Sequence, residues 1–156
     1  MAKQMRPKTI YVGTTGVKEY RATVAEYVRP DDTVLEVGCE WGTTTEVIAQ
    51  VTPDVIGTDI SPECIERARE MRPHMRFEAI DAFDMPALLA LGKSFSKIYV
   101  DLSGFSGYAS LLDVLSLLNM YTYTLQPRVI VIKSRSLKTF ASRCIAWTGP
   151  TQGEST

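Results

Sequence analysis

The sequence predicts an α/β fold on a doubly wound parallel sheet of about five strands, and three observations carry that prediction. Short β-branched and aliphatic runs alternate with longer stretches of helical periodicity. The strand-like runs are apolar almost throughout, as in strands covered on both faces. Each run closes on a charged residue or a glycine turn: Glu36 to Gly42, then Asp59, Asp81, Asp101 and Lys133. Strand–helix alternation of this kind folds through right-handed crossovers, with helices on both faces of one sheet.

Val17 to Val28 is the first predicted helix, since Val17, Tyr20, Val24, Tyr27 and Val28 recur at spacings of three and four. Pro30-Asp31-Asp32 ends it. Thr33 to Val37 is a strand, Thr43 to Val51 a helix, and Asp54 to Asp59 a second strand ending at an acid. Ser61-Pro62-Glu63 supplies an N-cap, a proline at the first helical position and an acid in the first turn, so a helix runs from there to about Met71. Arg76 to Ile80 and Ile98 to Asp101 are the third and fourth strands. Gly107 to Leu125 is a long apolar helix, Val129 to Lys133 the fifth strand, and Leu137 to Trp147 a last helix. The expected organisation is an N-terminal segment at 1–16, one domain at 17–148 and a loose, turn-rich tail at 149–156.

A length of 156 residues suits one core, and 45% hydrophobic with 22% charged residues excludes a disordered, fibrous or membrane-bundle chain. The longest aliphatic run, Val129 to Ile132, is far too short to cross a bilayer, and Met1 to Lys8 lacks the apolar stretch of a signal peptide. Cys39, Cys64 and Cys144 have no metal-type spacing. Reduced thiols in a cytoplasmic protein without a metal is the expectation. The net charge of −1 is unevenly laid out. Residues 1–30 carry six basic and two acidic groups, net +4; residues 31–127 carry six and fifteen, net −9; residues 128–156 carry five and one, net +4. Basic flanks of this kind either face a polyanion or are ordinary solvated helix surfaces.

In doubly wound sheets the ligand lies beyond the C-terminal strand ends. There, Gly38 and Gly42 let the backbone turn sharply and approach a ligand closely. Asp59 lies 21 residues beyond Gly38, the usual place for a carboxylate that binds both ribose hydroxyls. Asp81-Ala82 ends the next strand, where a carboxylate can accept from an adenine amino group. A G-x-G-x-x-G fingerprint is absent, because Glu40 and Thr43 stand at its second and third glycine positions. Glu36 and Glu40 would repel a pyrophosphate but suit a cationic ligand bearing an amino group and a sulfonium. S-adenosyl-L-methionine has that charge pattern, and NAD does not.

Val34-Leu35-Glu36-Val37-Gly38-Cys39-Glu40-Trp41-Gly42 resembles the first motif of the Rossmann-like, class I S-adenosylmethionine-dependent methyltransferases. Ile56 to Ser61, Phe77 to Ala82 and Tyr99 to Leu102 are similar to the strand ends that follow in that family. The resemblance covers 33–133, about two thirds of the chain. It implies strand order 3-2-1-4-5 and a sheet shortened at its C-terminal side. It also implies a cofactor pocket of Glu36, Gly38, Cys39, Glu40, Trp41, Gly42, Asp59, Ile60, Asp81, Ala82 and Asp101. Within that pocket Glu36 and Gly38 lie against the methionine part, Asp59 holds the ribose, Asp81 the adenine, and Asp101 faces the departing methyl. Glu40 departs from the family, which often has Gly or Ala there, so its carboxylate either points outward or meets the cofactor's ammonium.

A narrower resemblance, to fibrillarin-type RNA 2′-O-methyltransferases, rests on Gly42-Thr43-Thr44, Asp101 and Ile130 to Lys133. It implies catalytic roles for Asp101 and Lys133, with Lys18 as a loose candidate for a second lysine and RNA as a possible acceptor. The other readings are a methyltransferase with a different acceptor, or a cofactor-binding module that supports a partner without transferring methyl groups. A missing C-terminal hairpin would leave Val129 to Ile132 as an exposed edge, so the last helix and tail, or another subunit, must cover it. A homodimer or larger complex through the fifth-strand side is expected.

Overall fold

The computed structural model describes residues 7–149, so residues 150–156 of the expected tail lie outside the described residues. Six parallel strands form one sheet in the order β1-β6-β5-β2-β3-β4. They are β1 (Ile10–Thr14), β2 (Val34–Val37), β3 (Val55–Asp59), β4 (Arg76–Ala79), β5 (Lys97–Val100) and β6 (Val129–Lys133). The helices are α1 (Val17–Tyr27), α2 (Thr43–Ala49), α3 (Pro62–Met71), α4 (Met85–Leu89), α5 (Leu111–Thr124) and α6 (Arg135–Ala141).

The five predicted strands are present in the predicted order, and a sixth is added. Ile10–Thr14, set apart from the domain in the sequence reading, pairs in parallel with β6 from Ile10 opposite Val129 to Thr14 opposite Lys133. The expected open edge at β6 is therefore filled by the chain's own N-terminal strand, and β6 needs no partner subunit to cover it. Thr9 Oγ1 donates to the Pro127 carbonyl, and the Tyr11 and Thr122 hydroxyls share a 2.6 Å hydrogen bond. Ile10-Tyr11-Val12 is too short a β-branched run, broken by Gly13, to stand out in a sequence.

Alternate residues of the central strands feed opposite faces, as the pleat requires. Leu35, Val37, Ile98, Val100, Ile130 and Ile132 pack with Val114, Leu117, Leu118 and Tyr121 of α5. Val34, Tyr99, Val129 and Val131 pack with Tyr20, Val24 and Val28 at α1 and Ile48 of α2. Every residue of β2 is buried, including Glu36 on the α1/α2 face. The long apolar helix starts later than predicted, because Tyr108–Ser110 form a 3₁₀ turn before Leu111. The last helix is shifted N-terminally: the Ser134 hydroxyl accepts from Leu137 N–H to cap it, and it ends at Ala141 with Ile145 and Trp147 exposed beyond.

Candidate functional site

The segment after β2 is tied down from both sides. The amides of Gly38 and Cys39 both donate to the Thr58 carbonyl at 2.8 and 2.9 Å, hanging the turn on β3. Gly38 has φ +81°, and a Cβ there would run into the Asp101 carbonyl, so the turn lies hard against the end of β5. Gly42, at φ +82°, starts α2, where a Cβ would meet the Phe77 ring at 2.5 Å. Glu40 has φ +49°, a left-handed conformation that glycine adopts more cheaply. Arg72, buried at the end of α3, donates to the Trp41 carbonyl at 2.8 Å and, through Nε and Nη2, to one carboxylate oxygen, Oε2, of Glu46 in α2.

That turn opens onto two adjoining hollows at the C-terminal strand ends. One, of about 450 Å³, is lined by Gly38, Glu40, Asp59, Ile60, Asp101 and Lys133, among others. The second, of about 300 Å³, shares Gly38, Glu40, Asp101 and Lys133 and adds Glu36, Cys39, Arg21 and Thr44. Asp59 is aimed by two backbone amides, with Oδ2 accepting from Glu40 and Oδ1 from Ser61. Lys133 Nζ lies 2.5 Å from Asp101 Oδ1, both side chains partly exposed.

Of the predicted site residues, Glu36, Gly38, Cys39, Glu40, Asp59, Ile60, Asp101 and Lys133 line this crevice. Trp41 does not: its ring lies under the Arg67 guanidinium, 4.3 Å away, in an outer groove along α3. Gly42 serves packing against Phe77. Asp81 and Ala82 also lie outside the lining. The Asp81 carboxylate accepts from Phe83 N–H, and the Ala82 carbonyl accepts from the buried Tyr121 hydroxyl. Lys18 is exposed and is not part of the lining, whereas Arg21, which the sequence reading passed over, is. Val17 and Arg21 are one helical turn apart, so the face of α1 that meets the strand ends was the signal available for Arg21.

The methyltransferase domain family matches residues 34–112, half of the chain, and that span contains the glycine turn, Asp59 and Asp101. The chain belongs to this family. Solved structures with the same fold include S-adenosylmethionine-bound CalS10, an amino pentose methyltransferase of Micromonospora echinaspora. It matches at TM-score 0.58 and 24% identity over 75% of this chain and 50% of that one. The sugar N-methyltransferase KedS8 of a Streptoalloteichus species matches at 0.56 and 20%, over 74% and 45%. The 23S rRNA methyltransferase ErmE matches at 0.52 and 18%, over 75% and 46%. At such identities the likeness is one of fold, and this chain spans about half the length of each of these three structures.

In this methyltransferase domain the carboxyls are not equivalent. Burial pushes Glu36 up to about 8, reinforced by Asp101 and Asp59 and opposed by a hydrogen bond from Thr45 and the charge of Arg21. The Thr45 hydroxyl donates to Oε2 at 2.5 Å. Asp59, by contrast, is only half-buried and held by amides. Burial, with Glu36 and Asp59 nearby, pushes the Cys39 thiol far above its ordinary value, so it stays protonated and inert as a nucleophile. Among the described residues no group of His, Cys, Asp and Glu could hold a metal ion, and no helix is long and apolar enough to cross a membrane.

Proposed function

We propose that the crevice binds S-adenosyl-L-methionine and that the chain passes its methyl group to an acceptor beside Asp101 and Lys133. The observation that carries this is three acidic side chains, Glu36, Asp59 and Asp101, grouped around the Gly38 turn in a chain of the methyltransferase domain family. The donor set suits that ligand. Carboxylates accept from ribose hydroxyls and from an ammonium group, while a pyrophosphate would face Asp59 and Asp101.

In this reading Glu36 and Gly38 meet the methionine part and Asp59 the ribose. When bound, the cofactor supplies a methyl group on a positively charged sulfur. The chain's own contribution is mostly placement. Asp59, fixed by two amides, orients the nucleoside. Asp101, paired with Lys133, accepts a hydrogen bond from the acceptor's nucleophile, and Lys133, once it has released one of its own protons to solvent, takes up the nucleophile's proton as the methyl group is transferred.

A second reading, an RNA 2′-hydroxyl as acceptor, is favoured by the Asp101–Lys133 pair and by the basic flanks of the sequence. Its second cation would be Arg21 rather than Lys18. The domain at 17–148, completed by β1, is then a cytoplasmic methyl-transfer unit that needs no subunit at β6.

Calorimetry with S-adenosylmethionine tests binding, and transfer of radiolabelled methyl to RNA, protein and small-molecule extracts tests turnover. Asp59→Ala is expected to weaken binding by about tenfold or more, the scale of about 1.4 kcal/mol. Lys133→Ala should bind nearly as wild type and transfer nothing. Equal loss of binding in both variants would refute this division of roles. Binding without transfer to any extract would leave a cofactor-binding module that serves a partner.

A further inference from the structure

The Tyr20 hydroxyl is the one buried side-chain polar atom without a hydrogen-bond partner among the described residues. Buried hydroxyls are rarely left so, because the lost hydration is not repaid. Its place in the fold explains what it serves. The Tyr20 ring meets Tyr99 edge-on with centroids 5.3 Å apart, and Tyr99 stands opposite Glu36 in the β2–β5 register. Val17 and Arg21, on the same face of α1, line the crevice. Burial, and then the charges of Glu36 and Asp101, hold the Tyr20 hydroxyl well above its ordinary value, so it remains a donor at physiological pH.

Glu36 is the complementary case. Thr45 supplies the only hydrogen bond to its carboxyl among the described residues, and that bond goes to Oε2. The charged or titratable groups around it are Arg21 and Tyr20 from α1, Tyr99 from β5, Cys39 and Asp59 from the turn and β3, and Asp101 with its partner Lys133. A buried carboxylate needs further donors once it ionises.

We propose that Tyr20 is a positioning residue for Glu36: when the ammonium group of an amino-acid-bearing nucleoside enters the crevice and Glu36 releases its proton to solvent, the Tyr20 hydroxyl donates to the free carboxylate oxygen. This deepens the cofactor reading above and rests on it. Tyr20 touches no ligand itself. It acts through Glu36.

The test is calorimetry between pH 6 and 8 with S-adenosylhomocysteine, and with 5′-methylthioadenosine, which keeps the nucleoside but lacks the ammonium. Wild-type affinity for S-adenosylhomocysteine should rise with pH, and affinity for methylthioadenosine should stay level. Tyr20→Phe should bind S-adenosylhomocysteine about tenfold more weakly at pH 7, with the rise displaced to higher pH, and bind methylthioadenosine as wild type does. Because the substitution removes an unpartnered oxygen, the ligand-free variant should melt no lower than wild type. An unchanged pH profile, or an equal loss for both ligands, would overturn the inference while leaving the cofactor reading intact. Failure of wild type to bind either nucleoside would remove both.

Discussion

Glu36 shows how one residue links sequence, stability and ligand. Its position two residues before Gly38 is visible in the sequence, but its ionisation is set by burial between α1 and α2. A carboxyl that titrates near 8 in the folded chain and near 4.5 when unfolded favours the fold while protonated. That stability is fully present below about pH 4.5 and drains away as pH rises towards 8, because the unfolded chain ionises first. Glu36→Gln keeps the shape and the Thr45 contact but cannot ionise. Ligand-free Glu36→Gln should therefore match wild type near pH 4 and exceed it at pH 9 by about 2–4 kcal/mol, read from urea unfolding at both pH values. Coincident unfolding curves at pH 9 would show that Glu36 is not held neutral. Glu40 carries a different lesson at this scale. The sequence marks it as out of pattern, but only the backbone reveals the left-handed turn, whose cost of about 1–2 kcal/mol the surrounding ties to Asp59 and Arg72 sustain.

At the scale of elements, β1 is the addition that changes the expected assembly. Its parallel ladder with β6 satisfies an edge that would otherwise offer unpaired amides and carbonyls beside Val129, Val131 and Ile132. Removing residues 1–14 should expose that edge. Light scattering is expected to find the full chain free of β6-mediated dimers and the shortened chain dimeric or aggregated, and a shortened chain that stays monomeric would show that β6 needs no cover. The four central strands were legible because each is a largely apolar run that closes on a glycine turn, an acid or a lysine. β1 was not legible, because an edge strand is covered on fewer sides and four of its five residues remain exposed or partly so. The short helix α4, capped by Asp84 and opened by Met85-Pro86, escaped for a related reason, since five residues carry too little periodicity.

Across the whole molecule the crevice lies where the turn after β2, the end of β3 and the end of β5 converge, so ligand binding should stabilise the fold as a unit. With S-adenosylhomocysteine at about a hundred times its dissociation constant, linkage gives about 2.7 kcal/mol. For a domain of this size that is a rise in melting temperature of about 5–10 °C. Thermal melts should show this for wild type and a much smaller rise for Asp59→Ala. No rise for wild type would mean the crevice does not hold that ligand.

The sequence alone determined the alternation of strands and helices and the row of charged residues along the C-terminal ends of the strands, whereas the strand order was implied by the family resemblance. The alternation and the charged row follow from periodicity and turn chemistry, which are local properties of a chain. Only the tertiary structure decided that β1 closes the sheet, that Arg21 enters the crevice while Lys18, Trp41 and Asp81 do not, and that Tyr20 is left unpartnered beside Glu36. Those outcomes depend on which helix face turns inward and what remains to satisfy each polar group. Packing between distant segments sets both.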